Sequence, residues 1–270
     1  MSIKKWYLTV ISFIALFILV ACGRASSGET ETIKLGLVGE ENEEWEYVSE
    51  QLKDDGINLE LVFFSDYVTP NTALANGDID LNAFQTVIFL ESYNDDFGEE
   101  LTPIAQTTLN PLGIYSDKVT TVDDIPEGGT TTIPNDPSNE GRALLLLEFA
   151  GLIEVDDDAG LHAVIDDVTD NPLNLELIAV ESNQTARTIQ DVDATIINVG
   201  MATDAGFSPA DDAIFLESTE GNTEPYINAI VARLDETEHE AFQKIVEAYQ
   251  TDEVKEKISK RTNNASIPVW

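Results

Sequence analysis

The segment Asp136–Arg142, DPSNEGR, holds the residue types best suited to gripping a small anion. Asp136 is a natural helix N-cap, and Pro137 fits the first helical position. The segment therefore opens a helix, whose unpaired backbone N–H groups and dipole favour negative charge. Arg142 falls in the second turn, where its planar guanidinium can meet a carboxylate through two parallel hydrogen bonds. This is sound chemistry for an α-carboxylate in a cleft. The competing reading is an ordinary helix start, with Arg142 paired to a surface acid. A second group lies at Asp66-Tyr67 and Asn82 to Phe89, where Tyr67, Phe84 and Phe89 have Val87 and Ile88 as apolar neighbours. Aromatic rings at a strand end and a helix start suit an apolar tail, a thioether included. Core packing explains any one of these rings equally well.

Groupings suited to catalysis are scarce. The two histidines, His162 and His239, sit in acid-rich segments expected to be exposed and helical, and neither has a partner at metal-ligand spacing. The chain lacks a G-x-S-x-G elbow, a Gly-rich phosphate loop and a D-x-D-x-D-G loop with a later Glu. The expectation is a binding protein with no catalytic residue, metal or cofactor. Hydrolysis by paired carboxylates stays open as an alternative, because 51 acids offer too many pairs for a sequence to reject.

Cys22 is the single cysteine of the 270-residue chain. Lys4 and Lys5 precede a mostly apolar run from Trp6 to Val20, which is shorter than the roughly 20 residues a membrane span needs. Leu19-Val20-Ala21-Cys22 closes the run in the manner of a signal peptide over residues 1–21, cut before a lipid-modified cysteine. Residues 22–31, from Cys22 through the small and polar GRASSGETE, form the lipidated end and a flexible tether. Such a protein is held at the outer face of the cell membrane by its acyl chains.

With 51 acids against 14 Lys and Arg, the net charge is −37. Nucleic acid is excluded as a partner, because phosphate binding needs a basic surface. Acid runs such as Asp156-Asp157-Asp158 read as solvated faces, and their density suits a chain that works in high salt. At 43% hydrophobic residues the chain nevertheless has the means to build a core.

The elements that position these groups alternate between strand and helix. Thr32–Val38, Asn58–Phe64 and Ile79–Ala83 read as strands, with Trp45, Val48 and Leu52 on one helical face between the first two. Around a second centre, Thr130–Ile133 leads into the Asp136 helix, which Gly151 ends, and Asn174–Val180 and Ala194–Asn198 follow as strands. Pro225–Leu234 reads as a strand and residues 237–262 as closing helices. The pattern predicts parallel α/β sheets in two lobes, one of residues 32–112 and 222–270 and the other of 113–221, with the ligand cleft between them.

Five segments bear a resemblance. SDYVTPN (Ser65–Asn71), DLNAFQ (Asp80–Gln85), IPNDPSNEGRALLLLE (Ile133–Glu148), PYINAIV (Pro225–Val231) and EAYQTDEVKE (Glu247–Glu256) resemble, in order, the NlpA family. These are the methionine-binding lipoproteins of bacterial ABC importers. The resemblance implies a two-lobed periplasmic-binding-protein fold of type II, and a receptor that delivers a free amino acid to a permease and ATPase complex. It assigns Arg142 to the carboxylate, Asn198 and Asn228 to the amino-acid backbone, and Tyr67 and Phe84 to the side chain. The chain departs from the family at Thr86, where a histidine is usual, at Phe89 in place of a tyrosine, and at Asn110 in place of an aromatic residue. Side-chain preference is thus open between methionine and a related amino acid. Arg142→Ala is expected to weaken binding by roughly tenfold or more and to leave the fold intact. A non-transport lipoprotein scaffold is the remaining alternative.

Overall fold

The computed structural model describes residues 30–39 and 42–270. The signal segment, Cys22 and nearly all of the tether lie outside the described residues. The chain begins with β1 (Glu31–Val38), α1 (Glu43–Leu52), β2 (Ile57–Phe64), α2 (Thr69–Ala75), β3 (Leu81–Thr86), α3 (Val87–Phe97) and β4 (Thr102–Leu109). It continues through β5 (Leu112–Tyr115), β6 (Thr130–Pro134), α4 (Pro137–Phe149), the short pair β7 (Glu154–Val155) and β8 (Val168–Asp170), and β9 (Glu176–Val180). Next come α5 (Ser182–Thr185), β10 (Ala194–Asn198), α6 (Val199–Asp204), α7 (Pro209–Asp212) and β11 (Phe215–Leu216). The last elements are β12 (Ile227–Ala232), α8 (Glu240–Tyr249), α9 (Asp252–Arg261) and β13 (Ile267–Pro268).

Two large sheets result, ordered β13-β4-β12-β3-β1-β2 and β11-β5-β10-β6-β9. The chain passes from the first to the second at Asn110-Pro111 and returns between Leu216 and Ile227. This is the two-lobed α/β architecture expected, but the sheets are mixed. β1 pairs with β3, and β6 with β9 and β10, in parallel, as βαβ units require. β12 runs antiparallel between β3 and β4, and β5 antiparallel to β10. These are strands that arrive through the crossings, so no intervening helix dictates their direction. β12 is buried along its whole length, as the central strand of its sheet must be.

Sequence pattern explains the core. In β1, Ile33, Leu35 and Leu37 alternate into the interior and meet Trp45, Val48 and Leu52 of α1. Trp45 stacks on Tyr249 of α8 with ring centroids 4.3 Å apart. In the second lobe Ala143, Leu144, Leu146 and Leu147 of α4 pack with Ile133 and Ile196 of β6 and β10. Gly151, at φ +78°, ends that helix as expected.

Three expected elements shift. β3 starts at Leu81, two residues after Ile79, because Asp78 and Ile79 close a turn on the carbonyl of Ala73. Pro225 lies in a 3-10 turn (Glu224–Tyr226) ahead of β12, since proline has no N–H to give a central strand. His162 ends a 3-10 turn, and His239 caps α8 through Nδ1 from the N–H of Ala241, so neither lies within an α-helix. Among the described residues no helix is long and apolar enough to cross a membrane.

Candidate functional site

The two sheets face each other across a cavity of about 120 Å³, lined from both sides. All seven residues expected to bind ligand (Tyr67, Phe84, Thr86, Phe89, Arg142, Asn198 and Asn228) stand in its wall. Loops at the ends of β1, β2 and β4, the body of β3 and the starts of α4 and α6 supply most of that wall.

Arg142 lies on α4, and only 3% of its surface is exposed. Its Nε donates to Oε1 of Glu217 at 2.9 Å and its Nη2 to Oε2 of Glu217 at 2.5 Å. Nη2 also donates to the carbonyl of Asn110 at 2.8 Å. The ring of Tyr226 lies under the guanidinium, 4.3 Å from its carbon, and burial pushes that tyrosine hydroxyl above its ordinary pKa. Glu217 in turn accepts from the N–H of Leu112 at 2.8 Å. Asn110 and Leu112 belong to the outward crossing between lobes, Glu217 and Tyr226 to the return. The guanidinium thus ties both crossings together and has Nη1 left over from these bonds. The guanidinium at the cavity wall is thereby held in one orientation.

This pairing bears on the expected effect of Arg142→Ala. Removing Arg142 leaves Glu217 without its cation in a site where the two side chains are 4% and 17% exposed. Arg142→Ala is therefore expected to lower stability, because it strands that carboxylate.

A run of polar side chains leads from the start of α4 to the same wall. Asp136 caps α4, its Oδ1 accepting from the N–H of Asn139 at 3.0 Å. The same oxygen accepts from Nδ2 of Asn139 at 2.8 Å, and Oδ2 accepts from the hydroxyl of Ser182 at 2.8 Å. Oδ1 of Asn139 accepts from Nδ2 of Asn198 at 2.9 Å. Asn228, on β12, donates from Nδ2 to the carbonyl of Thr108 at 3.2 Å. Oδ1 of Asn198 and Oδ1 of Asn110 are both buried without a hydrogen-bond partner, and both residues line the cavity.

The aromatic group is a three-ring cup. Tyr67 stacks on Phe84 at 5.8 Å between centroids, and Phe89 meets both edge-on at 6.1 and 6.0 Å. Edge-to-face contact is the favoured geometry for such rings, so the cup keeps its shape. Burial and the charge of Asp136 and Asp204 hold the Tyr67 hydroxyl protonated, well above the ordinary phenol range. Thr86 accepts from the N–H of Phe89 at 3.3 Å as the N-cap of α3, so its hydroxyl serves the helix that carries Phe89.

Several wall residues carried no readable signal. Glu44 of α1 and Arg261 of α9 form an internal pair, Nε to Oε2 at 3.0 Å and Nη2 to Oε1 at 2.7 Å. Each alone looks like one more surface charge, and the pairing spans 217 residues. Glu217, in FLES, does not line the cavity but holds Arg142, and it likewise has no pattern around it. Asn139 was within reach, since it lies in the same DPSNEGR block as Arg142, one helical turn earlier.

Comparison with known proteins agrees with this geometry. The family model described as NlpA lipoprotein matches residues 33–270. The D-methionine-binding lipoprotein MetQ of Escherichia coli (strain K12) is 39% identical over 270 residues, covering 98% of this chain and 98% of that protein. A nutrient binding protein from Burkholderia cenocepacia bound to methionine superimposes with a TM-score of 0.84 at 37% identity, covering 88% of this chain and 100% of that one. The substrate binding protein of a methionine transporter from Streptococcus pneumoniae gives 0.84 at 39% identity, covering 88% and 96%.

Proposed function

Because the chain belongs to the NlpA lipoprotein family, we propose that it is a lipid-anchored receptor of an ABC importer, which captures methionine or a related amino acid. Cys22 carries the acyl chains, residues 23–30 tether the body, since Glu31 already belongs to β1, and the body works on the outer face of the cell membrane. The first lobe comprises residues 32–110 and 222–270 and the second 111–221, with the outward boundary two residues earlier than the sequence pattern predicts because Leu112 opens β5 of the second sheet. The lobes close over the amino acid and dock on a membrane permease driven by an ATPase.

The observation that carries this reading is the buried Arg142 in a cavity that also holds two asparagine oxygens without donors and an aromatic cup. A zwitterion leaving water needs a fixed partner for each charge, or its burial is unfavourable. Arg142 receives the carboxylate, Asn198 and Asn228 orient the amino-acid backbone, and Tyr67, Phe84 and Phe89 enclose the tail. Thr86 shapes the rim of that cup through its cap on α3. The relatives whose names mention methionine support that ligand as the first to test.

Calorimetry on the protein without its lipid, with L-methionine, D-methionine and other amino acids, tests the proposal. Heat of binding with methionine or one near relative is expected; no heat from any amino acid refutes the receptor. A hydrolase using two acids would instead turn over peptide or glycoside substrates. A scaffold would show a melting temperature indifferent to added amino acids.

A further inference from the structure

The amide of Asn198 has a single orientation that satisfies its neighbours. Asp136 gathers hydrogen bonds from the N–H and Nδ2 of Asn139 and from the hydroxyl of Ser182, with the hydroxyl of Ser138 at 3.2 Å, so both of its oxygens are engaged as acceptors. Asn139 must therefore turn its Nδ2 toward Asp136 and its Oδ1 away. That oxygen faces Asn198, which must answer with Nδ2. The remaining end of Asn198 is Oδ1, buried and without a donor at the cavity wall. Hydrogen-bond complementarity thus lets Asp136 set the orientation of two amides in turn, and the chain ends in a carbonyl oxygen at the cavity wall.

A buried acceptor with no donor is unfavourable until a donor arrives. A second one, Oδ1 of Asn110, lines the same cavity, and Asn110 lends its own carbonyl to Arg142. Two carbonyl oxygens in the same cavity wall as a fixed guanidinium complement one group of an amino acid, its α-ammonium, with the carboxylate on Arg142. Asn139 and Arg142 lie three residues apart on α4 and so share a face, which lets one helix set the spacing between the two charges.

We propose that Asp136 and Asn139 are positioning residues that lock Asn198 as an acceptor for the α-ammonium of the ligand, with Asn110 providing the second acceptor. This rests on the receptor reading above. It gives the DPSNEGR segment two tasks on one helix: Arg142 holds the anion, and the Asp136–Asn139 relay prepares the seat for the cation.

Two variants interrupt the relay differently. Asn139→Leu cuts it, while the backbone N–H at that position keeps its bond to Asp136 and the helix start survives. Asp136→Asn is isosteric and remains a good N-cap, but its amide can donate to Asn139, which lets both following amides turn over. Each would be titrated by calorimetry with the bound amino acid, L-methionine first, and with its counterpart lacking the ammonium, 4-(methylsulfanyl)butanoate for methionine. Affinity for the amino acid is expected to fall by about tenfold or more in both variants, with the deaminated ligand changed by less than about twofold. Parallel losses on both ligands, or no loss on either, would overturn the relay. If Asn139→Leu does not give a native circular dichroism spectrum, Asp136→Asn decides. A wild-type protein that gives no heat with any amino acid removes the receptor reading itself, which is a separate outcome.

Discussion

At the scale of the residue, the Arg142–Glu217 pair sets how the site can be interrogated. Arg142 both lines the cavity and pairs with Glu217, so truncation changes both at once. Breaking a buried pair from one side costs about 3–5 kcal/mol, most of it from the stranded charge. Arg142→Ala should accordingly lower the unfolding free energy by an amount in that range. The double variant Arg142→Met with Glu217→Gln removes both charges, and most of the stability should return, as read by urea titration. Ligand affinity should stay reduced by about tenfold or more in both variants, because the carboxylate has lost its cation. A double variant that binds amino acid as the wild type does would show that the guanidinium holds the crossings and nothing else. Glu217 itself was illegible in the sequence because it meets Arg142 across 75 residues. Arg142 was legible because Asp136 and Pro137 mark its helix start locally.

Among elements, α4 carries the most of the site and is seated by a glycine. A Cβ at Gly141 would fall 2.4 Å from the carbonyl oxygen of Leu161 and 2.9 Å from the N–H of Ala163, both of them backbone. Helix propensity alone favours alanine over glycine by about 1 kcal/mol. The contact reverses that sign, because a rigid backbone cannot yield as a side-chain tip would, and overpacking of this kind costs about 1–3 kcal/mol. Gly141→Ala should therefore lower the urea midpoint, and it should also weaken ligand binding by displacing the neighbouring Arg142 and the nearby Asn139. A stabilised Gly141→Ala protein would mean that the turn around Leu161 gives way freely. Elements of this kind were readable as far as their information is local. The cap, the ALLLLE run and Gly151 announce α4 in the sequence, and alternation announces β1 and β6. The antiparallel seating of β5 and β12 depends on where the chain lands after crossing between lobes, and no short-range pattern records that. The same limit applies to the cup, because Tyr67 reaches Phe84 and Phe89 from a separate loop, and its ring has no periodic relation to theirs.

For the molecule as a whole, electrostatics works against compactness. A net charge of −37 with 14 basic residues leaves most carboxylates without a cation, and several of the cations are already committed to internal pairs. Like charges repel across the folded surface more than across the expanded chain, so folding concentrates the repulsion. Raising ionic strength from 0.1 M to 1 M shortens the screening length from about 10 Å to about 3 Å. The melting temperature should rise with NaCl, steeply at first and then levelling as screening saturates. For a domain of this size each kcal/mol of relieved repulsion corresponds to about 2–4 °C. The same titration at pH 4, where many carboxylates take up a proton, should show a much smaller rise. A rise of equal slope at both pH values would point to general salting-out of apolar surface. A melting temperature that ignores salt at neutral pH would mean that the acids are spaced widely enough to leave the fold untroubled by its own charge.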